Sequence, residues 1–161
     1  MELTIPESLE AEHEELHQQL YKGIKIGGKI GEAAKAVADI LHPHFKKEEE
    51  YALPPLGLLS SLVSEEHEQM RRGGEEADSK ITQDIKNNVI SMTDKLNADL
   101  SHMIEEHNEI VAALNNLIEI AKLENKPDLV AFGEKLKLHA KAEEQVLYPT
   151  AILIGKYLKL K

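Results

Sequence analysis

Two stretches of this chain, HFKKEEEYALP at residues 44–54 and HAKAEEQVLYP at residues 139–149, align without a gap across His, Glu-Glu and Pro. A second match lies upstream of each. AEHEEL carries His13, 31 positions before His44, and EEHNEI carries His107, 32 positions before His139. A repeated unit of this size buries its apolar face against its own copy, so the chain reads as two related helical hairpins facing each other.

Breakers divide the sequence into helical segments, and no stretch has the sustained β-branched alternation of a strand, so the expected fold is all-α. The first helix should start near Pro6, with Thr4 as its cap, and end in the run Gly23, Gly27, Gly28, Gly31. The second should run from about Glu32 to Pro54-Pro55. Leu56 to Arg72 then leads to a turn at Gly73-Gly74, and a very long helix should span about Glu75 to Leu123. Asn125-Lys126-Pro127 breaks it before a last helix that carries Pro149 inside its pattern. The expectation is one domain over residues 1–161, an antiparallel four-helix bundle with an extended helical hairpin, residues 56–100, between its second and third helices.

Apolar residues recur at spacings of three and four on each helix, and the stripes contain residues that do not belong in oil. They read Leu9, His13, Leu16, Leu20, then Val37, Leu41, His44, Glu48, Tyr51, and on the last helix Phe132, Leu136, His139, Glu143, Val146. On the long helix the stripe runs Ile81, Ile85, Val89, Met92, Leu96, Leu100, Met103, His107, Ile110, Leu114, Leu117, Ala121. A single stripe histidine is more often a hydrogen-bonded core residue than a ligand. Buried carboxylates are harder to accommodate, because an unpaired one costs several kcal/mol and needs a cation or a proton. Four histidines and two glutamates at one level therefore point to metal. In His44-x-x-x-Glu48 and His139-x-x-x-Glu143 the two side chains stand one turn apart and can reach the same ion or adjacent ions.

Composition narrows the chemistry. The chain has no cysteine, so a metal must sit on nitrogen and oxygen, and that donor set suits iron first, with manganese or zinc as alternatives. The formal charge of −10 opposes nucleic-acid binding, and the basic residues Lys156, Lys159 and Lys161 do not reverse it. No run of eighteen apolar residues occurs, and MELTIPESLE lacks the layout of a secretory signal, so no membrane partner and a cytoplasmic location are expected.

The doubled pattern, an EH on the first helix of each hairpin and H-x-x-x-E-E followed by Pro on the second, resembles the hemerythrin-like, or HHE cation-binding, family over most of the chain. The resemblance implies a non-haem di-iron centre in the middle of an antiparallel bundle, bridged by carboxylates and an oxygen species. Carried over position by position, it implies His13, His44, Glu48, His107, His139 and Glu143 as metal ligands. It also implies a small ligand such as O2, NO or peroxide. The chain departs from the oxygen carriers of the family, which have five histidines, by lacking H-x-x-x-H on the third helix and H-x-x-x-x-D on the fourth.

Other residues compete for these roles. His17, four positions after His13, shares its face and is either a further ligand or a half-exposed helix residue. His67, in SEEHEQM, rivals His107, and it becomes the ligand if the chain folds back at Pro54-Pro55 rather than extending. His102 lies about 140° round the helix from His107 and His42 points away from His44, so both are expected outside the site. Tyr51 and Tyr148 are candidates for the surroundings of the metal or for a phenolate ligand, against the commoner role of core residue. The apolar residues of the arm need a cover, supplied either by a homodimer or from within the chain. Three functional classes follow: a di-iron protein that binds or senses a small ligand, a di-iron enzyme (peroxidase, NO-processing or iron-repair), and a metal-stabilised structural or dimerising bundle.

Overall fold

A glycine at φ 73°, Gly27, separates the first two helices, α1 (Glu7–Ile26) and α2 (Gly28–Lys47). Gly28 is also at positive φ, 59°, where a side chain would be strained, and these residues reverse the chain at once. The second helix therefore begins a turn earlier than the expected Glu32. The computed structural model describes residues 3–73 and 81–161. Thr4 does not cap α1. Pro6 holds that position, its carbonyl accepting from the N–H groups of Leu9 and Glu10 at 2.9 and 3.1 Å.

After α2 the chain makes one π-helical turn (Glu48–Ala52), a short 3₁₀ turn (Pro54–Leu58) and α3 (Leu59–Arg71). The expected start of the long helix at Glu75, and Gly74 of the expected turn, lie outside the described residues. Within them, α4 spans Gln83–Leu123, and the Thr82 hydroxyl caps it by accepting from Ile85 N–H at 3.3 Å. Asn125, at φ 53°, ends that helix in a Schellman arrangement, with Lys126 N–H donating to Ala121 carbonyl at 2.8 Å. Pro127 then opens α5 (Pro127–Ala142), which passes through a second π-helical turn (Glu143–Leu147) into α6 (Tyr148–Leu158).

α1 packs on α2 and α5, and α4 packs on α2 and α5, which closes the four-helix ring. No strand occurs among the described residues. The core lies in two apolar clusters. One joins Leu16, Leu20, Val37, Leu41, Leu114, Phe132 and Leu136, and the other joins Leu53, Val89, Leu96, Met103, Ala151 and Ile154. Between them lies a layer of buried imidazoles and carboxylates.

The long helix finds its cover inside the chain, since Val89 and Leu96 bury with Ala151, Ile154 and Leu158 of α6. α3 buries none of its residues, and Leu59, Val63 and Met70 remain exposed on it. The α4–α6 crossing depends on Gly155, where a Cβ would overlap Thr93 Oγ1 on the facing helix. Gly155→Ala should therefore cost roughly 1–3 kcal/mol of stability by urea titration, as forced overpacking does. No helix among the described residues is long and apolar enough to cross a membrane.

Candidate metal centre

Each π-helical turn starts on a site glutamate. Leu53 N–H donates to Glu48 carbonyl at 2.9 Å, and Tyr148 N–H donates to Glu143 carbonyl, both across five residues instead of four. The cause is in the sequence. Pro54 and Pro149, at equivalent places in the two copies, lack the N–H that a regular helix would use, and their rings crowd the preceding turn. Widening the helix by one residue relieves that crowding. It also advances the phase, so Val146, expected on the buried stripe, is exposed, whereas Tyr148 is fully buried.

The structure brings all six expected residues together: His13, His44, Glu48, His107, His139 and Glu143 are each 5% exposed or less. Every imidazole aims Nε2 inward. His44 Nε2 lies 3.1 Å from Glu48 Oε1, and His107 Nε2 lies 3.2 Å from Glu143 Oε2. His139 Nε2 lies 2.7 Å from Glu143 Oε1, while His13 Nε2 is 3.5 Å from Glu48 Oε2 and 3.7 Å from Glu143 Oε1. Two donor clusters result, His13/His139 and His44/His107, each completed by both glutamates, with the donor atoms of a cluster within 4.8 Å of one another. Glu48 and Glu143 thus belong to both positions.

The outer ring nitrogens are as ordered as the inner ones. His44 Nδ1 lies 2.7 Å from Glu106, His107 Nδ1 2.8 Å from Glu144, His13 Nδ1 3.4 Å from Glu49 and His139 Nδ1 3.4 Å from Glu12. These four carboxylates, which sequence reading did not assign, fix the ring orientation and tautomer that leave Nε2 free for a metal. Their signal was present as the EH and EE doublets. In each doublet one residue enters the site and the other holds a histidine of another helix. Glu106→Gln should weaken metal binding at the His44/His107 position about 10–100-fold in a competition titration, the usual scale for losing such a partner.

Within the layer the carboxylates and imidazoles set one another's charge. Burial opposes protonation of His44 and His139, but contact with glutamates (Glu48 then Glu106 for the first, Glu143 then Glu48 for the second) outweighs it and pushes both up to about 9. His13 is also raised: burial acts against its charge, and Glu143 and Glu48 overcome that. Burial, reinforced by the charge of Glu143, pushes the Glu48 carboxyl up. Burial acts on Glu143 in the same direction, yet close contact with the imidazoles of His107, His13 and His139 holds it well below the ordinary carboxylate range. Four buried atoms, His13 Nε2, His139 Nε2, Glu48 Oε2 and Glu143 Oε1, have no hydrogen-bond partner. All four converge on the His13/His139 position, and their donor chemistry of two imidazoles and two carboxylates fits a divalent cation of the iron, manganese or zinc kind.

The competing residues fall outside these clusters. His17 stands edge-on to Phe45 at 5.0 Å and faces His42 at 4.9 Å, on the outer side of the ring. His67 is exposed on α3, and His102 is exposed beside Glu105. Tyr51 donates to Asp99 at 2.6 Å, away from the site, and burial followed by Asp99 pushes its hydroxyl up. Tyr148 enters the site. Its hydroxyl donates to Glu48 Oε1 and lies 3.2 Å from His107 Nε2 and 3.4 Å from His44 Nε2.

Residues 89–151 match the family model of the hemerythrin HHE cation-binding domain. Over that stretch the chain is similar to the hemerythrin HHE cation-binding domain. The matched stretch holds His107, His139 and Glu143, one hairpin of the bundle, and the other hairpin carries the same pattern in the first sequence copy. Comparison with curated proteins gave no match, and comparison with solved structures gave none. The hemerythrin-like reading therefore stands on the family model, on the all-helical ring and on the buried His/Glu layer.

Proposed function

We propose that the chain is a non-haem di-iron protein that binds or senses a small ligand such as O2, NO or peroxide. One observation carries the reading. Two four-donor clusters have both glutamates in common, which is the arrangement two adjacent ions need and one ion does not. The proposed ligands are His13 and His139 for one ion, His44 and His107 for the other, and Glu48 and Glu143 for both. Four protein donors per ion leave coordination positions open in a site that prefers six, as open non-haem iron sites do. When bound, the iron pair supplies reversible one-electron redox and an open position for the incoming molecule.

The chain's own residues shape that position. The clamping carboxylates hold the imidazoles, so they need little reorganisation when a ligand arrives. Tyr148 is a hydroxyl donor beside His44 and His107, able to direct a hydrogen bond at a polar ligand there. Its proton stays on the phenol, because burial and then Glu48 and Glu143 drive its ionisation far up. Phe45, stacked on His13 at 3.9 Å, walls the opposite position with carbon and keeps water from it. The absence of a fifth histidine at the expected places favours binding and sensing over reversible oxygen carriage.

The test is elemental analysis of aerobically purified protein, joined to absorption spectra before and after dithionite, O2 and NO. About two irons per chain with visible bands that respond to these reagents are expected. Zinc in a colourless, O2-insensitive protein would instead favour the metal-stabilised structural reading.

A further inference from the structure

The sequence repeat predicts two equivalent metal positions, and the side chains around them are not equivalent. Counterparts lie 95 positions apart, His44 with His139, Glu48 with Glu143, Pro54 with Pro149. On the same offset Leu53 stands opposite Tyr148 and Lys47 opposite Ala142. Each difference loads the His44/His107 position. The Tyr148 hydroxyl occupies it, donating to Glu48 Oε1 within reach of both Nε2 atoms. Lys47 Nζ pairs with Glu106 Oε1, and Glu106 holds His44, so a fixed positive charge stands two contacts from that position. The His13/His139 position has neither. There the inward atoms of His13, His139, Glu48 and Glu143 make no hydrogen bond and face only one another, His139 Nε2 lying 2.7 Å from Glu143 Oε1.

We infer that the two positions fill in a fixed order, the His13/His139 position first and tightly, the His44/His107 position second and more weakly, with Tyr148 as the residue that sets the gap. The inference rests on the di-metal reading above. A cation at the first position meets four donor atoms that face only one another, and no hydroxyl stands in its way, while the proton that must leave His139 has its counterpart on His44 at the second position. A cation at the second must break the hydrogen bond from Tyr148 to Glu48, and it also meets the Lys47 charge. A hydrogen bond to a charged group is worth about 1.5–3 kcal/mol, which corresponds to roughly ten- to hundredfold in affinity. Repulsion between two dications would separate two affinities even in a symmetric centre, so the position of the first ion and the response to Tyr148 carry the inference.

The experiment is an anaerobic titration of the metal-free full-length chain with Co2+ alone, followed by calorimetry and by the visible bands of the ion, with helix content checked by circular dichroism. Two equivalents are expected, the first at least about tenfold tighter. His139→Ala should remove the tight step and keep the weak one, and His44→Ala should do the reverse. Tyr148→Phe should strengthen the second step about tenfold and leave the first in place. Loss of the tight step in His44→Ala, two equal affinities in the wild type, or an unchanged gap in Tyr148→Phe would overturn the order while leaving the di-metal centre standing. A folded wild-type chain that takes up no Co2+ would overturn the centre itself. Should Tyr148→Phe not fold, the two histidine variants decide.

Discussion

Glu143→Ala is expected to empty both metal positions at once, taking the metal content from about two per chain to near zero while the protein remains helical. The reason is geometric. Glu143 Oε1 lies 2.7 Å from His139 Nε2 and 3.7 Å from His13 Nε2, and its other oxygen lies 3.2 Å from His107 Nε2, so one side chain reaches both clusters. Removing it takes an anion from the contact of three buried imidazoles and leaves them in a site 5% exposed or less. Metal affinity then falls at each position, since neither retains more than two imidazoles and Glu48. A single histidine change should be milder, because His139 belongs to one cluster only. Elemental analysis of Glu143→Ala beside His139→Ala makes the comparison. A Glu143→Ala protein that keeps one full equivalent would show that the carboxylate does not join the two positions.

The burial and convergence of the four histidines and two glutamates were legible because the helical period forces a residue at stripe spacing into the core, whatever its polarity. Polar residues at such places are rare enough that their duplication carried information. His107 lies in the buried layer and His67 is exposed on α3, as the reading of two arms of similar length expected. The π-helical turns were not read, although Pro149 inside a helical pattern announced a local disturbance. A strict 3.6-residue period assigned Val146 to the core, and the extra residue of the turn put Tyr148 there instead. The four clamping carboxylates escaped because pattern reading asks which residues face inward. Glu12, Glu49, Glu106 and Glu144 sit at the edges of their helices, and each acts across an interface on a histidine it does not neighbour in sequence. Which helix lies beside which is a tertiary fact, and the long helix illustrates it: its apolar first half called for a cover, and the continuation of α5 into α6 supplied it together with Leu53, Leu56 and Leu58 of the turns after α2.

Stability of the metal-free chain should fall as pH rises from about 6.5 to about 9, the opposite of what acid-sensitive bundles do. His44 and His139 carry folded-state values of about 9 against the ordinary 6.5. A group whose value is raised on folding stabilises the fold fully below its unfolded value and loses that contribution as pH climbs through the folded one. A shift of this size in one histidine corresponds to roughly 3 kcal/mol. The two draw on the same carboxylates, so their contributions do not add in full. For a chain of this length, 3 kcal/mol moves Tm by on the order of 10 °C. Metal reverses the trend, because ligation needs neutral imidazoles: loading at pH 7 must expel the protons these residues hold, and the advantage of the loaded protein must grow with pH up to about 9. Paired melting curves of metal-free and metal-loaded protein between pH 6 and 9, with proton release followed by an indicator dye during loading, give both readouts. A metal-free Tm that is flat or rising over that interval, together with loading that releases no protons, would mean that the imidazoles are not held as cations by Glu48 and Glu143, and the charge balance on which the centre depends would have to be redrawn.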